Sequence, residues 1–364
     1  MIVMSADAIN ILKNGGFDKS KWMQLPRDVV IGHCVLDQLP AVCADIGLGR
    51  RVLLVSGHRT MEVAGTRVRD LLAPDFEVSI HLVDACTPEE CRRTEEAARA
   101  FDADLLVAVG GGRVIDTAKI ASYNIDRQFV SVPTAASHDG IASSRASVAE
   151  PGGAASLQAH PPIAVVADTG LIAAAPHRLL AAGCADIIAN STAVLDWQLS
   201  HRLRSEPISE YAVTLALMTA EILMANAHAI RPHQEASAWM VTKALFSSGV
   251  AMAIAGSSRP GSGGEHKFAH ALERLAPGQA LHGEACGVGT IVCMYLHGGD
   301  WRSIRAALRQ IGAPTNPEEL GIDDEVAVEA LQMAKTIRPE RFTILDGGLT
   351  DESAHALVRM LYQE

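Results

Sequence analysis

The residues best suited to chemistry in this chain fall between positions 265 and 284. In Glu265-His266-Lys267-Phe268-Ala269-His270 two imidazoles stand four residues apart, so a helix through the stretch puts them on one face, a turn from each other. His282 follows in Leu281-His282-Gly283-Glu284, with further glycines at Gly287 and Gly289. Imidazoles gathered in this way, with a carboxylate from elsewhere, are the parts of an open catalytic metal site. The competing reading is that three of the 14 histidines fall close together and only cap or pack.

Three further segments offer partners. Val109-Gly110-Gly111-Gly112-Arg113-Val114-Ile115-Asp116 follows an apolar run and opens a helical one. Glycines there let backbone approach a phosphate, and a helix N-terminus supplies unpaired N–H groups; a plain strand-to-helix turn is the alternative. The spacing is not GxGxxG, so the standard dinucleotide fingerprint is absent. Val132-Pro133-Thr134-Ala135-Ala136-Ser137-His138-Asp139-Gly140 ends another apolar run. Ligands bind at the carboxyl ends of parallel strands, although Thr134 and Asp139 could instead satisfy turn amides. In Gly183-Cys184-Ala185-Asp186-Ile187-Ile188 an acid interrupts an apolar helix. A buried carboxylate needs a partner. A metal shared with His266 and His282 would serve; a surface ion pair with a nearby Arg or Lys would remove the need.

The elements that must position these groups are legible from apolar patterning. Val52–Val55, Val78–Val83, Asp104–Val109, Phe129–Val132 and Ile163–Ala167 read as strands, alternating with helices such as one from about Thr60 to Leu72 and one opened by Thr87-Pro88-Glu89-Glu90. Continuous apolar strands separated by helices indicate a parallel sheet covered on both faces. A hairpin is expected around Glu150-Pro151-Gly152-Gly153. Beyond Thr169 strand patterning stops, and segments 178–201, 210–229 and 236–255 have helical spacing, followed by a Gly/Ser-rich loop at 256–264. The expected fold is an α/β domain with a parallel sheet over residues 1–168 and an all-α domain over 169–364, the length being too great for one compact core.

With 48% hydrophobic and 20% charged residues the chain reads as an ordinary globular protein, and with 4% aromatics its core must be aliphatic. A net charge of −11 without a basic run argues against nucleic acid but not against an anionic substrate in a local basic pocket. Seven cysteines with no CxxC pair read as reduced thiols. Asp7, Lys13, Asp18 and Lys19 break the N-terminal stretch, and no run reads as long enough to span a bilayer, so no signal peptide or membrane insertion is expected, and a cytoplasmic setting is.

Taken in order, the glycine triplet with Asp116, the Pro133–Gly140 segment, Asp186, and the histidine pair with His282-Gly283-Glu284 resemble the sn-glycerol-1-phosphate dehydrogenase family. That family belongs to a larger group holding glycerol dehydrogenase, iron-type alcohol dehydrogenases and dehydroquinate synthase. The likeness spans roughly residues 20 to 300, including Trp22-Met23-Gln24-Leu25-Pro26-Arg27. Ser137-His138-Asp139-Gly140 and Ser258-Arg259-Pro260 are its more specific parts.

The resemblance implies a dehydroquinate synthase-like fold and zinc (Zn2+) held by Asp186, His266 and His282. Asp139, Asp186 and His270 would touch substrate, with Asp139 and His270 as catalytic candidates and His270 serving either phosphate contact or a proton path. NAD(P)H would lie along Gly112, Arg113, Val114, Ile115 and Asp116, then Thr134, Ala135, Ala136, Ser137 and Ser143. The implied reaction reduces dihydroxyacetone phosphate, a small phosphorylated ketone, to sn-glycerol 1-phosphate, the backbone of archaeal membrane lipids, in a homo-oligomer. Val55-Ser56-Gly57-His58-Arg59 lacks the acid that repels a 2′-phosphate, so NADPH should be accepted beside NADH. Asn190 stands where iron-type relatives carry a histidine, which favours zinc with three protein ligands. Ser257, Ser258 and Arg259 are candidates for the phosphate. The competing readings are a dehydroquinate synthase-type lyase, whose first ligand is Glu rather than Asp, a related polyol dehydrogenase, and a non-catalytic binding protein.

Overall fold

The computed structural model describes residues 23–150 and 153–362 of the 364. Asp7, Lys13, Asp18, Lys19, Trp22 and the Pro151-Gly152 tip of the expected hairpin lie outside the described residues. The strands are β1 (Asp28–Gly32), β2 (Arg51–Ser56), β3 (Glu77–Leu82), β4 (Leu105–Gly110), β5 (Gln128–Pro133), β6 (Arg145–Glu150), β7 (Gly153–Gln158) and β8 (Ala164–Asp168). Six of them form a sheet in the order β1-β8-β5-β4-β2-β3, parallel throughout, while β6 and β7 pair as an antiparallel hairpin. Central β4 is buried along its whole length, which is why Leu105 to Gly110 reads as an unbroken apolar run. The edge strand β1 is only half-buried; its short Val29-Val30-Ile31 run precedes the region in which the alternation was read.

Side chains of each strand alternate between two apolar layers. Leu53, Val55, Leu106 and Ala108 face one, and Val52, Leu54, Leu105 and Val107 the other. The second layer is closed by Val68 and Leu72 of a helix over Thr66–Leu72. The helix expected over 60–72 is broken: His58–Thr60 is helical, Met61–Gly65 is a π-helical turn, and Thr66–Leu72 resumes. The helix Pro88–Phe101 starts as its sequence indicates, Thr87 Oγ1 accepting from Glu90 N at 3.2 Å.

Asp168 closes β8 and caps the next helix, its Oδ1 accepting from the amides of Gly170 and Leu171 while Oδ2 takes Leu36 N. After it, no strand occurs among the described residues. The helices that matter below are α1 (Gly112–Asn124), α2 (His177–Ile188), α3 (Asn190–Arg204), α4 (Glu210–Ala225), α5 (Glu235–Ala255), α6 (Gly264–Leu275) and α7 (His282–Leu296). One apolar cluster runs from Leu53 and Phe129 of the sheet through Ile187 and Leu308 to Tyr362, so the sheet and helical regions share a core.

The expectation that no run is long enough to span a bilayer is corrected. His177–Arg204 and Glu235–Ala255 are both long and apolar enough by length and composition. In the first, 83% of the apolar window is buried inside the protein, as in a core helix.

Candidate active site and metal centre

Helices α2, α6 and α7 bring Asp186, His266 and His282 together. The approach depends on absent side chains: a Cβ on Gly283 would lie 2.0 Å from the carbonyl oxygen of Ala182, and one on Gly183 would lie 2.1 Å from that of Ala136. Gly283 thus seats α7 on α2, and Gly183 seats α2 on the Pro133–Gly140 loop. His266 Nε2 is 3.6 Å and His282 Nε2 3.9 Å from Asp186 Oδ1. That oxygen is buried and has no hydrogen-bond partner among the described residues. Asp186 Oδ2 accepts from the amide of Asp139 at 3.2 Å. Asp186, His266, His282 and Cys286 each offer one ligand atom, all within 4.8 Å of one another.

The charge distribution calls for a cation. Burial raises the pKa of Asp186 above the ordinary carboxylate value, with His266 pulling the other way. Burial alone would lower the His266 pKa, but the Glu265 hydrogen bond and charge, with Asp186, more than reverse it. Glu265 Oε1 lies 2.9 Å from His266 Nδ1, so a proton on this nitrogen donates to the carboxylate, and Nε2, facing Asp186, offers its lone pair to a metal once it is unprotonated. Glu265 is itself fixed by Thr192 Oγ1, which donates to Oε2 at 2.7 Å. His282 keeps 42% of its side chain exposed, yet loss of bulk water and the neighbouring His266 hold its pKa well below the ordinary value. It is a neutral ligand in waiting. The donor set fits a divalent metal: an orphaned carboxylate oxygen and two imidazole nitrogens converge on one point.

Cys286, one turn past His282, is the group that sequence reading missed; the i+4 spacing was its signal. Its Sγ lies 3.6 Å from His282 Nε2. Burial, with Asp186 and Glu265 nearby, drives the thiol pKa well above its usual value. Glu284 faces elsewhere, paired with Arg178 at 2.6 and 2.7 Å and accepting from Leu281 N. Asn190 also turns away, donating to Thr219 and Ser248.

Asp139 stands beside the cluster, its Oδ2 accepting from Ser248 Oγ at 3.3 Å. Burial and the Asp186 charge push its pKa up to about 6. His270 is buried, its ring 5.7 Å from that of His282, and burial and Arg338 lower its pKa to about 3. It is a neutral imidazole, with Arg338 Nη2 at 3.4 Å from Nε2.

The glycine triplet joins β4 to α1. At Gly112 a Cβ would meet His138 Nε2 at 1.7 Å, so this glycine is required by the His138 ring, while the side of Gly111 is open. Arg113 is exposed at the first turn of α1, and Val114 and Ile115 are buried, leaving them their backbone to offer. The Asp116 carboxylate points inward, to Lys119 Nζ at 3.2 Å and the Ser147 amide at 3.0 Å. Lys119, wholly buried, also donates to the carbonyls of Gly140 and Arg145, tying α1 to the Asp139 loop and the hairpin. Thr134, Ala135 and Ala136 are buried at the end of β5, Ser137 is half-buried, and Ser143 Oγ lies 3.4 Å from the Arg145 amide. After β2, His58 and Arg59 are exposed, with Asp84 Oδ1 3.7 Å from His58 Nε2.

A cleft of about 380 Å³ opens beyond His270, between the β6–β7 hairpin and residues 337–341. Arg145, Arg274, Arg338 and Arg341 line it. No sequence motif announces this cluster, because its members come from three separated segments. Arg259, a sequence candidate for phosphate, is instead locked in an ion pair with Glu206 and donates to the Phe342 carbonyl. Ser258 Oγ accepts from Arg341 at 2.8 Å.

The family model described as iron-containing alcohol dehydrogenase matches residues 30–176, a stretch that ends before the helices carrying Asp186, His266 and His282. The chain is 73% identical over 361 residues to a protein of Methanosphaerula palustris named glycerol-1-phosphate dehydrogenase (NAD(P)+), covering 99% of this chain and 100% of that one. A protein of the same name from Methanoculleus marisnigri is 68% identical over 362 residues, covering 99% and 100%. The chain belongs to the glycerol-1-phosphate dehydrogenase family. In fold it is similar to a probable glycerol dehydrogenase from Sinorhizobium meliloti, with a TM-score of 0.77 at 22% identity over 94% of this chain and 98% of that one. It is also similar to glycerol dehydrogenase from Schizosaccharomyces pombe, with a TM-score of 0.75 at 18% identity over 95% and 91%.

Proposed function

We propose that the protein is an oxidoreductase that reduces dihydroxyacetone phosphate to sn-glycerol 1-phosphate with NAD(P)H, at a zinc ion held by Asp186, His266 and His282. The observation that carries this reading is the orphaned Asp186 Oδ1 facing two imidazole Nε2 atoms, in a chain 73% identical to a relative of that name. When bound, zinc supplies Lewis-acid polarisation of the ketone and the nicotinamide supplies the hydride.

The protein's own residues do the positioning. Glu265 orients the His266 ring, and Thr192 holds Glu265 in place. Asp139 borders the substrate, steadied by Ser248. The α1 N-terminus at Gly111 and Gly112, with the end of β5 from Thr134 to Ser137 and Ser143, forms the cofactor floor, where free amides suit a diphosphate. His58 and Arg59, beyond β2, suit a 2′-phosphate, which supports use of NADPH as well as NADH. With Asp186, His266 and His282 as the three protein ligands and Cys286 beside them, one position is left open for the ketone. The helical part from Thr169 carries the metal ligands and the α/β part the cofactor floor, the division expected at residue 168. A cytoplasmic homo-oligomer is the expected setting. Tyr211, Met218 and Ile222 recur exposed on α4, and sedimentation of the purified protein as a monomer would count against that assembly.

Metal removal tests the reading. Chelated protein should lose NAD(P)H oxidation with dihydroxyacetone phosphate and regain it on adding zinc. Full activity in protein shown by elemental analysis to be metal-free would overturn the zinc assignment.

A further inference from the structure

We propose that the cleft between the β6–β7 hairpin and residues 337–341 is the subsite for the phosphate group of the substrate, held chiefly by the guanidinium groups of Arg338 and Arg341. The inference rests on the reading of the site as one for a small phosphorylated ketone. Four guanidiniums line the cleft against two carboxylates, Glu150 and Glu340.

An account of partners separates the arginines. Arg145 is spent on its own hairpin, donating to Ser156 Oγ, Ser156 O and Gln158 Oε1 at 2.9 to 3.2 Å. Arg259, nearby in sequence to Ser258, is neutralised by Glu206. Arg341 donates only to neutral acceptors, Ser262 O and Ser258 Oγ, both at 2.8 Å. Arg338 meets only the neutral His270. Among the described residues neither has a carboxylate within 4 Å, Glu340 and Glu206 acting on Arg338 and Arg341 only from farther off, so donors remain to be used. Burial and mutual repulsion act on both: burial, Arg338 and Arg259 press the Arg341 pKa down to about 9, and burial and Arg145 lower that of Arg338. Such crowding is relieved by a multivalent anion, and a guanidinium fork matches phosphate geometry.

Arg338 has φ of 45° immediately before Pro339, one of six non-glycine residues with positive φ among those described. Position agrees with the account of partners. His270 borders the cleft on one side and lies 5.7 Å, ring to ring, from His282 on the other. A three-carbon ketone with its carbonyl at Asp186, His266 and His282 therefore passes His270 and places its phosphate among the arginines. His270 is the contact between the two halves of the substrate.

The test combines calorimetric titration of inorganic phosphate into the zinc-loaded full chain with steady-state kinetics. Arg341→Gln and Arg338→Asn, the latter tolerant of positive φ, should each weaken phosphate binding by about 10- to 100-fold. The ratio of kcat/KM for dihydroxyacetone phosphate to that for dihydroxyacetone should fall by a similar factor, while KM for NADPH stays unchanged. Two variants guard against a folding defect in either, and the thermal midpoint is read for both. Unchanged phosphate affinity and an unchanged ratio in folded variants overturn the proposal, even if the wild type reduces dihydroxyacetone phosphate. If the wild type fails to reduce it but phosphate binding still depends on both arginines, the subsite stands and the reaction assigned to the site falls.

Discussion

Asp186 is the residue on which the site turns. Its Oδ1 is enclosed without a donor, a state that costs several kcal/mol unless a cation is supplied. His266→Ala or His282→Ala should therefore abolish bound metal and activity together, as read by elemental analysis beside turnover. Cys286→Ser should retain metal, since a fourth protein ligand would close the position that the ketone needs; loss of metal in that variant would make the site a closed one. His270 gives a pH signature. Its folded pKa of about 3 lies below the ordinary 6.5, so between those values the unfolded chain binds the extra proton and stability falls as pH drops. The thermal-midpoint advantage of wild type over His270→Gln, a variant that cannot titrate there, should shrink from pH 7 to pH 5. An advantage that grows over that range would show the imidazole to be protonated in the fold. At this scale the sequence revealed groups whose type and spacing are local: two histidines on one turn, one acid in an apolar helix. Cys286 has the same i+4 spacing from His282, but a buried thiol is chemically ambiguous without its neighbours. Arg338 and Arg341 were out of reach because Arg145 and Arg274 come to them only through tertiary packing.

At the scale of elements, the metal group exists because α2 and α7 touch at backbone distance. Gly283→Ala would set a methyl 2.0 Å from the Ala182 carbonyl, forcing α7 outward with His282. We expect a loss of about 1–3 kcal/mol of stability in denaturant unfolding, typical of overpacking, and weaker metal retention than in wild type. Stability and metal content both equal to wild type would show that the contact does not set the geometry. The strands were legible because a parallel sheet buries both faces, which makes β4 and β8 continuous apolar runs. β1 was not, being a short edge strand with half-buried residues that carries a weaker pattern. The π-helical turn at Met61–Gly65 was equally hidden, since helical periodicity does not report one extra residue per turn.

Across the whole molecule, a chain of net charge −11 gathers Arg145, Arg274, Arg338 and Arg341 around one cleft, where the proposed subsite takes the substrate phosphate. The sheet and helical regions share one apolar core, and within the α/β part Lys119 ties Asp116 of α1 to the carbonyls of Gly140 and Arg145. The change from strands to helices was legible because strand patterning stops at Asp168; the shared core was not, since it joins residues as far apart as Leu53 and Tyr362. Together these parts are expected to reduce a phosphorylated ketone to one enantiomer. The most direct measurement incubates the zinc-loaded protein with dihydroxyacetone phosphate and NADPH, follows cofactor oxidation, and resolves the product by chiral analysis. We expect stoichiometric oxidation and sn-glycerol 1-phosphate alone; no net cofactor oxidation, or the 3-phosphate enantiomer, would overturn the proposed function.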